Sequence, residues 1–104
     1  HRVGDTLQEL KRPAEALVVY EQSRTVSEGL VATDPTLAQF RLNLGSSQRG
    51  VGHAQMALGR RPPACAAWRA ALEIYTALDR EGKLRASERS ILDALHTEVG
   101  VCRE

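Results

Sequence analysis

The run Val51-Gly52-His53-Ala54-Gln55-Met56-Ala57-Leu58-Gly59, followed by Arg60-Arg61-Pro62-Pro63-Ala64-Cys65-Ala66-Ala67-Trp68, decides the fold, because the chain contains it more than once. Val3-Gly4, Val51-Gly52 and Val99-Gly100 recur at intervals of 48 residues. The same offset lays Leu10 on Leu58, Arg12 on Arg60, Ala16 on Ala64, Tyr20 on Trp68, Val26 on Ile74 and Leu30 on Leu78, with no gap. Self-similarity at a fixed period is the mark of a stacked repeat architecture.

Within this frame every segment carries a helical period. Leu37, Phe40, Leu44, Ser47, Val51, Ala54 and Leu58 follow a 3–4 spacing that draws one stripe along a helix. Asp34-Pro35 offers an N-cap and a first-turn proline, and Gly59 stands where a C-terminal glycine belongs, which predicts a helix over 36–58. After the break at Arg61-Pro62-Pro63, Ala64, Ala67, Trp68, Ala71, Leu72, Tyr75 and Leu78 predict a second, ending near Gly82. Upstream, Ala16, Val19, Tyr20, Ser23, Val26 and Leu30 predict a helix from about 13 to 32, preceded by Val3, Leu7 and Leu10 in a shorter one. Leu84, Ile91, Leu92, Leu95, Val99 and Cys102 mark the last. No segment alternates with period two over a strand length. Gly45, Gly50 and Gly52 lie inside the long helix, where each costs about 1 kcal/mol relative to Ala. A helix accepts this where a neighbour comes close, so the recurring Gly4, Gly52 and Gly100 are expected to mark helix crossings.

These residues resemble the tetratricopeptide repeat. That family has L-G-x-x-Y in its first helix and A-x-x-x-F in its second. Here Val3-Gly4-x-x-Leu7 with Ala16-x-x-x-Tyr20, and Val51-Gly52 with Ala64-x-x-x-Trp68, fill those places at the family's Gly-to-Ala separation. The family's first-helix Trp falls on Gln48 and its Tyr on Gln55, and both helices look extended by about two turns. The resemblance implies an all-α, right-handed stack of antiparallel helix pairs, a solenoid fragment of about five helices. Repeat one covers about 1–33 with a shortened first helix, repeat two about 35–81, and a capping helix about 84–103. His1 is then expected to lie mid-helix in a longer array, with Glu104 near its C-terminus.

The resemblance also implies a binding groove lined by the first helices of successive pairs. Its positions map to Asp5, Gln8 and Glu9, to Ser46, Arg49, His53 and Met56, and to Thr97 and Val101, with Arg49 as partner for a peptide carboxylate. A second surface is expected on the helix over 13–32. The shortened first helix leaves Val19, Val26 and Leu30 bare, with Val31 beside them, and two copies of the chain would cover this patch by a two-fold contact.

The chemistry of the remaining residues is bland. A chain of 104 residues with 26% charged residues and net charge +1 gives no reason to expect nucleic acid or an anionic membrane. No stretch approaches the ~20 apolar residues of a membrane helix. Twelve of the fourteen basic residues are Arg, a hint of a bacterial source. Gly45-Ser46-Ser47-Gln48-Arg49-Gly50-Val51-Gly52 lacks the strand and the Gly-Lys-Ser/Thr of a phosphate loop. His96 and Cys102 do not have zinc spacing. Neither a catalytic set, a metal nor a cofactor is expected. Cys65 and Cys102 fall at apolar stripe positions and read as two reduced, buried thiols. The resulting expectation is a cytoplasmic, non-catalytic module that binds a protein or peptide within a larger bacterial protein. The alternative is a structural domain that self-associates, as a homodimer.

Overall fold

Two glycines with left-handed backbone punctuate the chain. A computed structural model describes residues 12–103, and among these Gly59 (φ 75°) and Gly82 (φ 70°) have positive φ. Each closes a helix by the paired bonds of a Schellman motif. Arg60 N donates to Gln55 O and Gly59 N to Met56 O; Lys83 N donates to Leu78 O and Gly82 N to Asp79 O. The described residues form four α-helices and no strand: α1 (Pro13–Thr33), α2 (Ala38–Ala57), α3 (Arg61–Arg80) and α4 (Ala86–Val101). The shorter helix read over His1–Leu10, like Gly4 and Glu104, lies outside the described residues.

Two boundaries differ from the sequence reading. Asp34 caps the end of α1 rather than the start of α2. Its Oδ1 accepts from Thr36 N (3.1 Å) and Thr36 Oγ1 (2.6 Å), and these bonds hold its carboxyl below the usual range. That local turn satisfies the Asp side chain before the helix begins, so α2 starts at Ala38. Conversely, Arg61-Pro62-Pro63 does not separate helices. The prolines sit in the first turn of α3, where their missing N–H groups have no intrahelical partner to lose.

The helices run antiparallel, and each packs on the next. Facing residues show the register: Tyr20 meets Gly50 and Ser23 meets Ser47 between α1 and α2, while Trp68 meets Gly52 and Tyr75 meets Gly45 between α2 and α3. All three interior glycines of α2 therefore lie beneath an aromatic ring. A methyl group on Gly50 or Gly52 would overlap the ring of Tyr20 or Trp68, and one on Gly45 would come within 2.7 Å of Tyr75 Cε1. Tyr20 and Trp68, matched by the 48-residue offset, are both buried. Gly100 departs from the expectation: a methyl there would meet nothing within 4 Å, so the third Val-Gly pair marks no crossing.

Two apolar clusters result. Ala16, Leu17, Tyr20, Val51, Ala54 and Ala67 join α1 to α2 and α3. Trp68, Ala71, Tyr75, Leu78, Leu84, Leu92, Leu95 and Val99 join α3 to α4, with Leu42 and Met56 of α2 at the edge.

The cysteines correct the sequence reading. Cys65 and Cys102 are not free thiols; they form a disulfide with Cα atoms 5.9 Å apart, within bridging range. Both positions do face inward, as the stripe implied. The antiparallel packing of α3 on α4 then brings the first turns of one helix to the last turn of the other. The bridge closes a separation of 37 residues.

Candidate functional site

The groove residues on α2 fall at Ser46, Arg49, His53 and Met56, a spacing that keeps them on one side of the helix. All four are half-buried. Met56 packs against the α3–α4 cluster. Thr97 and Val101 are exposed on α4. Asp5, Gln8 and Glu9 lie outside the described residues.

Arg49 and His53 converge on one carboxylate, that of Glu98 on α4. Arg49 Nε and Nη2 donate to Glu98 Oε1 and Oε2 at 3.1 and 3.0 Å, a bidentate pair. His53 Nε2 lies 2.9 Å from Glu98 Oε2. The His53 ring also stands edge-on to Trp68, at 5.5 Å between centroids and 75° between planes. The Glu98 side chain is only 16% exposed. Burial raises its pKa, and the hydrogen bonds from His53 and Arg49 outweigh that, so the net shift is downward. The anion partner anticipated for Arg49 is thus supplied by the chain itself. A peptide carboxylate arriving at Arg49 would have to displace Glu98.

Glu98 is not among the groove positions mapped from the sequence. Its neighbour Val99 is buried, which puts Glu98 at the margin of the stripe. From there a long side chain reaches sideways to α2. The adjacency to Val99 was the available signal, but the identity of the reaching partner was not.

A second surface lies on α1. Val26 is 64% exposed and Val18 53% exposed, while Val19 and Leu30 are half-buried. Leu17 and Ser27, rather than Val26, turn to the core. A cleft of about 430 Å³ opens between α1 and α2, lined by Val19, Val26, Leu30 and Asn43 among others. Among the described residues, no charged side chain lines it. Leu37, ahead of α2, is a further exposed apolar residue at 45%.

Among the described residues, no three His, Cys, Asp or Glu side chains come together in a way that would hold a metal ion. No described helix is long and apolar enough to cross a membrane. Compared with known proteins, the chain matches no family model, no curated protein and no solved structure.

Proposed function

We propose that this chain is a non-catalytic protein-interaction module of a larger bacterial protein, built as a tetratricopeptide-like stack of helix pairs. The observation that carries this reading is the exposure of Val18 and Val26 on α1 beside a cleft lined by apolar and uncharged polar side chains. Apolar side chains left in water forfeit about 1.5–3 kcal/mol each relative to full burial, a gain open to whatever protein covers them. The face formed by Ser46, Arg49, His53, Met56 and Thr97 is the second candidate surface. There a ligand carboxylate competes with Glu98, which is tethered in place and bidentate.

The expected cytoplasmic location sits poorly with the Cys65–Cys102 bridge, since cytosolic glutathione and thioredoxin keep such thiols reduced. We place the module in an oxidising compartment.

Photo-crosslinking tests the interaction reading. A benzophenone side chain replacing Val26 should yield protein adducts in the parent's cells, and one replacing the exposed Arg69 on α3 should not. Equal adduct yields at the two positions would show that the α1 face is ordinary surface.

A further inference from the structure

We infer that the Cys65–Cys102 bridge is a lock on the Arg49–His53 surface: while it is closed Glu98 holds that surface, and its reduction opens the surface to the carboxylate of an external ligand. The inference deepens the reading of this face as a ligand surface by naming its control, and it rests on that reading.

The lock follows from how three helices meet. Cys65 on α3 is joined covalently to Cys102 at the end of α4. One turn back along α4, Glu98 reaches Arg49 and His53 on α2. The His53 ring stands edge-on to Trp68 on α3. One turn back along α3, Trp68 leads to Cys65 again. These contacts form a closed circuit through α2, α3 and α4, and the bridge is its covalent link.

Opening the covalent link loosens the ionic one. Glu98 lies in the last turn of α4, and Cys102 caps that turn. The last turn of a helix frays readily, because its final carbonyls have no intrahelical donors. Here Cys102 fastens the turn to the start of α3. With the bridge open, the burial of Val99 and a surface hydrogen bond from Arg61 Nη2 to Val101 O are left to help Glu98 hold it. A tethered group competes at an effective concentration set by how firmly its tether is held. Fraying lowers that concentration for the Glu98 carboxylate. Arg49, which donates to it from both Nε and Nη2, then becomes open to an untethered carboxylate.

The bridge can be reached. Cys65 is 4% exposed, whereas Cys102 is half-buried. A dithiol reductant attacks through its thiolate at the more accessible Cys102 Sγ. The S–S bond breaks, and Cys65 leaves as a thiolate that takes up a proton. The second thiol of the reductant then closes on its partner sulfur and releases Cys102 as a thiol. The chain gains two electrons and two protons, and the dithiol becomes a disulfide. In an oxidising compartment the lock stays closed until such a dithiol arrives.

Acetate is the head group of Glu98 without its tether, so titrating acetate into the 104-residue chain is the test. The Arg49 Nε–H and His53 ring signals are followed by NMR, before and after reduction with dithiothreitol. The reduced chain should half-saturate at an acetate concentration at least about tenfold below that of the oxidised chain, within the usual range of coupling between two sites. Sodium chloride at equal ionic strength should not reproduce the response. Oxidised Glu98→Ala, from which the internal competitor is gone, should respond as reduced wild type does; should it fail to fold, E98Q takes its place. Linkage supplies a second readout: saturating acetate should shift the equilibrium of the bridge with dithiothreitol toward the open form by the same factor. Equal half-saturation in both redox states overturns the proposal. So does a reduced chain that loses its helical circular dichroism, because the bridge would then be a condition of the fold and not a lock. If oxidised Glu98→Ala responds and reduced wild type does not, the lock falls while the ligand surface stands. If neither responds, the ligand surface itself falls.

Discussion

At the scale of single residues, α2 is shaped by what it lacks. Gly45, Gly50 and Gly52 weaken the helix by about 1 kcal/mol each, yet each accommodates an aromatic ring from a neighbour. The Trp68 ring lies so close to Gly52 that its indole Nε1 finds no acceptor among the described residues. Packing prevails there over a hydrogen bond worth about 1 kcal/mol. Gly52→Ala should therefore destabilise the fold by up to about 2 kcal/mol: overpacking costs about 1–3, and the better helix propensity returns about 1. Gly100→Ala meets open space and should stabilise by about 0.5–1 kcal/mol. Urea unfolding of the two variants, at unchanged slope, distinguishes them by the sign of the shift in midpoint.

At the scale of elements, Glu98 ties α4 to α2 through Arg49 and His53. Glu98→Gln keeps the shape but loses the charge that holds Arg49 and His53, and should cost about 1–2 kcal/mol at pH 7. The pH dependence follows from the sign of the shift. The folded carboxyl titrates below its ordinary value, so its contribution is complete above the usual glutamate range and fades as pH falls through the depressed folded value. The stability gap between wild type and E98Q should thus be widest near neutrality and close in acid. Taking the difference removes Glu81, whose pKa is held at about 2 by Arg41 and Lys83 and which titrates in both proteins. Measuring chemical unfolding at several pH values checks this; a gap that grows in acid would contradict the assignment. The same pairing changes the meaning of a groove mutation. Replacing both Arg49 and His53 with Ala strips a half-buried carboxylate of its partners, so such a variant should lose stability whether or not a ligand binds there.

At the scale of the whole molecule, the disulfide ties the start of α3 covalently to the end of α4. Closing a loop of 37 residues restricts the unfolded chain by an amount worth roughly 3–4 kcal/mol. Reduction, or Cys65→Ser with Cys102→Ser, should lower stability by up to that amount. The fold should persist, because Leu92, Leu95 and Val99 still bury α4 against α3. Oxidised protein unfolded in denaturant should show no reactive thiol. Two reactive thiols would restore the reading of free cysteines.

The helices themselves were legible in the residues, because their signals are local. The 3–4 spacing, the glycines at 59 and 82 and the run from Ala64 to Leu78 act within a few turns of chain, and backbone sterics and hydrogen bonding respond at that range. The burial of Tyr20 and Trp68 was legible too, through the 48-residue offset that equates them. Pairings between side chains remote in sequence were not. Glu98 with Arg49, Cys65 with Cys102 and Tyr20 over Gly50 depend on how far each helix slides and turns against its neighbour. Within α1, Val26 is exposed, as expected of the bare patch, and Ser27 takes the buried place beside it. By itself the sequence determined an all-helical chain with its breaks and most of its inward faces, since periodicity and chain sterics are properties of a segment. Only the tertiary structure decided which charges meet and which sulfurs join, since each requires two segments to be placed against each other in three dimensions.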